Sequence, residues 1–311
     1  MTQQADDLKG LYFPVLDHGF VALKSYMGGD EDIEESARVS YGKGTRKTSE
    51  TRGLLRYLLS HNHTTPFEMV VLKYHISMPL HVHRQFIRHR MSSTNEYSAR
   101  YSVVPERYYT IAKENCGYQS KSNKQGRAEP IPDDLYNEFT GETLDLQKRS
   151  FALYNKMADA GVAREVARMH LPLNTYTYFY WKCDLHNLFH LLKLRLDSHA
   201  QLEIRQYAGI MAGIAQAVAP LAFEAFLDYK LEGRNFSAAE RRVLNQLIYI
   251  GDNNASPEEI DGVMEYEGLA SREKAEFLSK LQAPENHNFT LRVEDAKDYS
   301  YFENQMNEVK Q

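Results

Sequence analysis

Residues Gln85 to Tyr101 read QFIRHRMSSTNEYSARY and form the densest polar passage of the chain. Arg88, His89, Arg90 and Arg100 are crowded there with Asn95, Glu96 and the hydroxyls of Ser92, Ser93, Thr94 and Ser98. Such a helix-to-loop strip suits a phosphate and a ribose. Guanidinium forks bind phosphate oxygens two at a time, hydroxyls and amides complete the shell around an oxyanion, and a carboxylate accepts from sugar hydroxyls. The same residue types also furnish solvated helix ends laced with salt bridges, the commoner use of such a strip, so its meaning depends on what surrounds it.

Upstream, Val70, Leu72, Tyr74, Ile76 and Met78 alternate with Val71, Lys73, His75 and Ser77, the period of two expected of a strand with one buried face. Pro79 suits the first turn of a helix leading into the polar strip. Earlier still, Ser49 stands where it would cap a helix running to His61, with Leu54, Leu55, Leu58 and Leu59 at helical spacing and an end near Asn62. Downstream, Asn115 to Pro132 lacks periodicity and reads as a surface excursion, and a long helix is expected from Asp133 to about Ala160. Arg164 to Leu171 reads as helical and Thr175 to Cys183 as an aromatic, β-prone run. Asp184 to Asp197 carries Leu185, Leu188, Phe189, Leu192 and Leu196 in one helical stripe. The class is therefore α+β, without an internal repeat. After Tyr229 the composition turns charged and less periodic, which predicts a main domain over 1–231 and a helical C-terminal extension of unassigned role over 232–311.

The chain has 311 residues, 42% hydrophobic and 25% charged, within the range of globular proteins. Its apolar stretch from Met211 to Phe226 is interrupted by Gln216, Pro220 and Glu224 and falls short of the roughly 20 residues a membrane span needs. The opening MTQQADDLKG lacks the basic start and apolar run of a secretory signal, and Cys116 and Cys183 are too few for a disulfide framework, so a cytoplasmic location is expected. A net charge of -5 provides no bulk attraction to nucleic acid or an anionic membrane, so an anion site must be local. The 21 tyrosines read as core and interface packing.

Arg88-His89-Arg90, followed by seven residues and then Ser98, resembles the signature of the ThyX family of flavin-dependent thymidylate synthases, and Asn95, Glu96, Arg100 and Tyr101 also stand where that family places them. The resemblance runs from about Gly19 to Tyr229, roughly two thirds of the chain, through SARVSYG around Ser40, HNHTTPFEM around Thr65, REVARMHLPLNTYT and LRLDSHAQLEIRQYA. It implies a ThyX-like fold, with a central mixed or antiparallel sheet and flanking helices. It also implies reductive methylation of dUMP to dTMP, with 5,10-methylenetetrahydrofolate as one-carbon donor, FAD reduced by NADPH as hydride source, and tetrahydrofolate released. Position by position, it assigns Gln85, Phe86, Ile87, Arg88, Glu96, Tyr97, Ser98, Ala99, Arg100, Arg168 and Arg195 to dUMP. To FAD it assigns Thr65, Arg88, His89, Arg90, Met91, Glu96, Asp184, Leu185, His186 and His190, with Ser40 and His199 as further flavin-side candidates. A homotetramer with active sites shared between subunits is implied as well.

Arg164 and Arg168 lie one helical turn apart, so a phosphate or a uracil carbonyl could meet either, and the family pattern selects Arg168. On a helix starting at Asp184, that residue, Arg195 and His199 project to one side and His186 and His190 nearly opposite, so one pocket should not use both faces. Two functional faces fit sites shared between subunits. Neither cysteine lies in a matched motif, and Ser98 in an arginine-rich strip suits hydrogen bonding better than nucleophilic attack. Arg195 is the expected activating group, because a fixed cation beside the uracil imide favours the ionised ring and raises electron density at the carbon to be methylated. A hydroxymethylating activity would use the same contacts.

Two other classes are weighed. Histidine pairs at His61 and His63, His81 and His83, and His186 and His190 prompt a metal-dependent hydrolase, but HNLFH lacks the glutamate of the zincin helix and twelve histidines produce such spacings by accident. The RHR triplet and GKGTRK at Gly42 to Lys47 prompt a nucleic-acid module, against which stand the acidic total and the lack of a binding motif. GKGTRKTS fails as a phosphate loop because Arg46 replaces the glycine before Lys47, and it fails the dinucleotide fingerprint because Lys47 occupies the third glycine position. A flavin must then be held without a Rossmann turn.

Overall fold

The computed structural model describes residues 3–39, 50–121, 124–249, 256–282 and 287–307. Seven strands occur among them: β1 (Tyr12–Val15), β2 (Gly19–Met27), β3 (Val71–Pro79), β4 (Ser93–Glu96), β5 (Gly117–Gln119), β6 (Arg127–Pro130) and β7 (Tyr176–Asp184). Five form one sheet in the order β1-β2-β3-β7-β4, every neighbouring pair antiparallel. Aromatic and β-branched residues fill its centre, as a pleated and largely buried surface favours. On one face Tyr74 and Ile76 of β3 and Phe179 and Trp181 of β7 are at most 1% exposed. The helix Leu202–Val218 belongs to this core, and the Tyr207 hydroxyl donates to the Ser77 carbonyl at 2.8 Å. A Cβ at Gly19 would collide with that hydroxyl, so the residue must be glycine.

β3 departs from the one-sided burial that its alternation predicts, since His75 and Ser77 on the other face are also buried. The cover comes from the end of the chain. Tyr12 and Lys297 exchange backbone hydrogen bonds of 3.1 and 2.8 Å, Phe302 packs on Phe20 with ring centroids 4.8 Å apart, and Tyr299 lies 5.6 Å from the His75 ring. Contacts accordingly divide the described chain twice rather than once near Leu231. Residues up to Ala225 form one unit together with the segment from Phe289, and Phe226–Asn288 form another. The second unit is helical, with Ala238–Tyr249, Pro257–Tyr266 and Ser271–Lys280 around Val243, Met264, Leu269 and Phe277.

Other expectations shift in detail. The first leucine-rich helix is Thr51–Ser60, and Ser49, its expected cap, lies outside the described residues, as does the whole of Gly42 to Lys47. Pro79 ends β3 and caps the helix Leu80–Phe86 rather than entering its first turn. Asn115 to Pro132 is not structureless, because β5 and β6 pair there as an antiparallel hairpin. The long helix is Asp133–Asp159. Arg164 to Leu171 is helical only over Arg164–Ala167, and Arg168–His170 tightens into a 3-10 turn.

Candidate active site

The polar strip is positioned by the short helix Leu80–Phe86, whose Val82, His83 and Phe86 are buried. Phe86 packs edge-on against Trp181 at 5.0 Å and against Phe179 at 5.6 Å. This anchor leaves the next four residues to emerge beside the helix Leu185–Arg195. Together they enclose a cavity of about 520 Å³ lined by Arg88, His89, Arg90, Met91, Trp181, Asn187, His190, Leu194 and Arg195.

The cationic groups of this cavity are organised. The Arg195 Nε donates to His89 Nε2 at 3.0 Å and its Nη2 donates to the Gln85 carbonyl at 3.2 Å. His89 must be neutral to accept, and its environment keeps it so: burial, then the charge of Arg195, then His190 push its pKa down to about 4. Burial also lowers the Arg195 guanidinium from its ordinary value. His190 lies 6.0 Å from the His89 ring, centroid to centroid.

The one-face argument for the 185–195 helix therefore fails. His190 and Arg195 line the same cavity, because the space lies over Asn187 and Leu194 and both rims reach it. The helix stops at Arg195, and His199 sits beyond it in an exposed turn, where Asp197 accepts from its backbone at 2.8 Å and pairs with its ring at 2.9 Å. Asp184 is the N-cap. Its carboxylate accepts from the Asn187 backbone and side chain, each at 2.8 Å. Leu185 is fully buried and Phe86 nearly so, which takes both side chains out of reach of the cavity. Leu185 N donates to the Val70 carbonyl at 2.8 Å, which ties the end of the 3-10 turn Thr65–Met69 to the start of the 185–195 helix; Thr65 is exposed at the far end of that turn and His186 is half-buried. Ser40 lies outside the described residues.

The second half of the strip goes elsewhere. Glu96 on the edge strand β4 accepts from Thr177 Oγ1 at 2.7 Å, with His83 Nδ1 at 3.8 Å. Tyr97 donates from its backbone to the Tyr178 carbonyl at 2.9 Å and from its hydroxyl to the Val103 carbonyl at 2.6 Å. Ser98 opens a turn, Ala99 packs on the cluster of Val104, Phe151, Tyr154 and Ala167, and Arg100 pairs with Glu165 at 2.9 Å on the surface. Arg164 donates to the Tyr101 carbonyl at 3.0 Å, and Arg168 is exposed beside it. The structure thus groups Gln85, Arg88, His89, Arg90, Met91, His190 and Arg195 around the cavity. Ser98, half-buried, and the exposed Arg100 and Arg168 lie outside it. Trp181, Asn187 and Leu194 line the cavity and were not among the predicted residues. Only Asn187 carried a signal, as the polar residue inside HNLFH. Among the described residues no cluster of three His, Cys, Asp or Glu could hold a metal, and no helix is long and apolar enough to cross a membrane.

An antiparallel sheet flanked by helices, with an arginine-rich cavity where a strand-borne helix meets a second helix, defines an α+β protein with a locally cationic cavity. Residues 22–221 match the family described as thymidylate synthase complementing protein. The flavin-dependent thymidylate synthase of Wolbachia pipientis wMel is 46% identical over 257 residues, covering 83% of this chain and 90% of that protein. That of Thermus thermophilus is 45% identical over 274 residues, covering 88% and 97%. A solved structure of the UMP/dUMP methylase PolB from Streptomyces cacaoi, bound with 5-Br dUMP, superposes with a TM-score of 0.63 at 28% identity over 70% of this chain and 98% of that one. The chain belongs to the family of flavin-dependent thymidylate synthases.

Proposed function

We propose that this enzyme converts dUMP to dTMP by reductive methylation at the cavity between Gln85–Met91 and the 185–195 helix. The observation that supports this most directly is the Arg195 guanidinium, held at 3.0 Å by a neutral His89 and at 3.2 Å by a backbone carbonyl. A cation fixed this way keeps its Nη1 donors for a ligand and needs no reorganisation to stabilise an ionised uracil. Arg88 and Arg90 supply charge for a phosphate.

The donor set fits a phosphorylated aromatic cofactor. Three arginines line the cavity with the apolar surfaces of Met91, Leu194 and Trp181, and the Trp181 Nε1 is buried without a partner among the described residues. FAD held by Arg88 to Met91, His190 and the Thr65, Asp184 and His186 neighbourhood would supply the reducing equivalents, with NADPH and 5,10-methylenetetrahydrofolate as co-substrates. Ser98, Arg100 and Arg168 complete a neighbouring copy's nucleotide site in a homotetramer, a reading supported by their place away from the cavity and by the exposure of the two arginines. Catalysis belongs to the region before Leu231. A cytoplasmic location accords with free thiols at Cys116 and Cys183.

The test is direct. Purified protein should be yellow, and should bleach anaerobically with NADPH, faster when dUMP is present. With methylenetetrahydrofolate it should form dTMP, and the product mass separates methyl from hydroxymethyl. Protein that cannot be loaded with FAD, or that leaves dUMP unchanged, sinks the proposal.

A further inference from the structure

The functional reading leaves Asn115 to Pro132 without a role, yet the hairpin there carries Arg127, which forms an ion pair with Glu203. Glu203 is 1% exposed, in the first turn of the Leu202–Val218 helix. A carboxylate buried so deeply is tolerated only with partners. Besides Arg127, it accepts from the Tyr109 hydroxyl at 3.1 Å. Both partners meet Oε1, and Oε2 has no hydrogen-bond partner among the described residues; burial pushes the pKa up, but Arg127 and the residue's own backbone N–H outweigh that and hold it below the usual carboxylate range.

Both flanks of this carboxylate lead to the helix Leu80–Phe86. The Tyr109 ring stacks on His81 near its start, with centroids 6.0 Å apart. Gln201, the N-cap of the 202–218 helix, receives a hydrogen bond from the Gln85 side chain near its end. The Gln85 carbonyl in turn accepts from Arg195. Two sets of contacts therefore meet at the start of the 202–218 helix: Arg127 and Tyr109 hold Glu203 in its first turn, and two residues earlier Gln201 holds Gln85, whose carbonyl accepts from Arg195. None of Arg127, Gln201 or Glu203 lines the cavity.

We propose that Gln201 and Arg127 are positioning residues for nucleotide binding: Arg127 fixes Glu203 and with it the first turn of the 202–218 helix, and Gln201 at the N-cap of that helix holds Gln85 and the Arg195 it anchors in register with dUMP. The inference rests on the cavity being the dUMP site. Gln201→Asn retracts the amide by one methylene and frees the Gln85 side chain. Arg127→Met removes the cation that fixes Glu203, Arg127→Lys keeps it, and Tyr109→Phe removes one donor without changing shape.

Calorimetric titration of FAD-loaded protein with dUMP tests the relay. Gln201→Asn and Arg127→Met should each weaken binding about tenfold, the scale of one lost hydrogen bond, and Tyr109→Phe about threefold. Arg127→Lys should recover most of the affinity, and FAD content should stay at the wild-type level throughout. Because one relay is cut in either place, the double variant Gln201→Asn/Arg127→Met should bind no more weakly than the worse single, whereas independent structural damage would multiply. Should Arg127→Met not fold, Gln201→Asn and Tyr109→Phe decide the matter alone. Unchanged dUMP affinity in those two, or multiplying effects in the double variant, overturns the relay while leaving the functional reading intact. Wild-type protein that gives no heat with dUMP overturns both.

Discussion

The two ends of the Gln85–Tyr101 strip carry the same chemistry and meet different fates. At its start, Phe86 is sealed into the core, His89 is neutral, and Arg195 from a distant helix is tied to both His89 and Gln85. At its end, Ser98 caps a turn and Arg100 spends its charge on Glu165, each about half exposed or more, where an ion pair contributes little. An arginine braced by half-buried partners is preorganised for a ligand, whereas one on a solvated pair must exchange partners to bind. The first region is a cavity lined by residues of one chain, and the second lies on the surface away from it, where the proposed function has it serve a neighbouring copy.

Replacing the most tightly braced group should have the largest effect. Arg195→Lys keeps the charge but loses the planar fork that bonds His89 and Gln85 together. We expect dTMP formation to fall about 10²- to 10³-fold, the scale of a lost preorganised donor. NADPH oxidation by molecular oxygen, which needs FAD but no activated pyrimidine, should fall far less in the same preparation with its FAD content checked. Equal loss of both rates would move the activating role away from Arg195.

The contrast between the regions can be broken outright by mixing defects. Arg195→Ala and Arg100→Ala should each be nearly inactive, and co-expressed mixed oligomers should recover up to about a quarter of wild-type activity if the two arginines of one site come from different copies. Recovery absent in oligomers shown by mass to be mixed would place both arginines in one chain's site. A smaller effect is expected of Arg88→Ala, which removes one exposed cation from the cavity wall. It should weaken dUMP binding by about 1.5 to 3 kcal/mol in calorimetry, the range for hydrogen bonds to charged groups. Unchanged affinity would take Arg88 out of the nucleotide shell.

The sequence carried β3 through its alternation, β7 through its aromatic run and a helix before the polar strip through Pro79, because each of these signals is local. It did not carry what depends on distant partners. The second buried face of β3 is made by Tyr299 and Phe302, more than two hundred residues away, and no period in Val71–Pro79 signals that cover. The cavity was legible as a residue set through Arg88 to Met91 and Arg195, but the neutrality of His89 follows only from burial beside Arg195 and His190. Projection on an ideal helix separated His190 from Arg195, although a cavity wider than one side chain accepts both rims. Gln201 and Glu203 lay inside the matched run LRLDSHAQLEIRQYA, yet their partners Gln85, Arg127 and Tyr109 come from three other segments.

The smallest expected effect separates the sheet from the cavity by pH. His75, buried beneath the C-terminal segment, and His89 in the cavity both have pKa values lowered to about 4, in each case chiefly by burial. An unfolded histidine takes up its proton near pH 6.5. Between about pH 6.5 and about pH 4 the unfolded chain therefore binds more protons than the folded one, so these groups contribute their full stability above that window and lose it as the pH falls through it. His75 can be removed without orphaning its neighbour, because the Tyr12 hydroxyl that lies 3.2 Å from His75 Nδ1 also accepts from Lys24 at 3.2 Å. His75→Phe should keep the stacking position over Tyr180 and lose one proton-linked group. Its melting temperature should then fall less on acidification across the window than that of the wild type, by a difference of roughly 5 to 10 °C for a domain of this size. Arg195 stays tied to His89 in this variant, so dUMP affinity at neutral pH should be untouched. Parallel acid curves for the two proteins would show that His75 is as protonatable folded as unfolded, and would leave the acid sensitivity of the fold to His89 and the carboxylates.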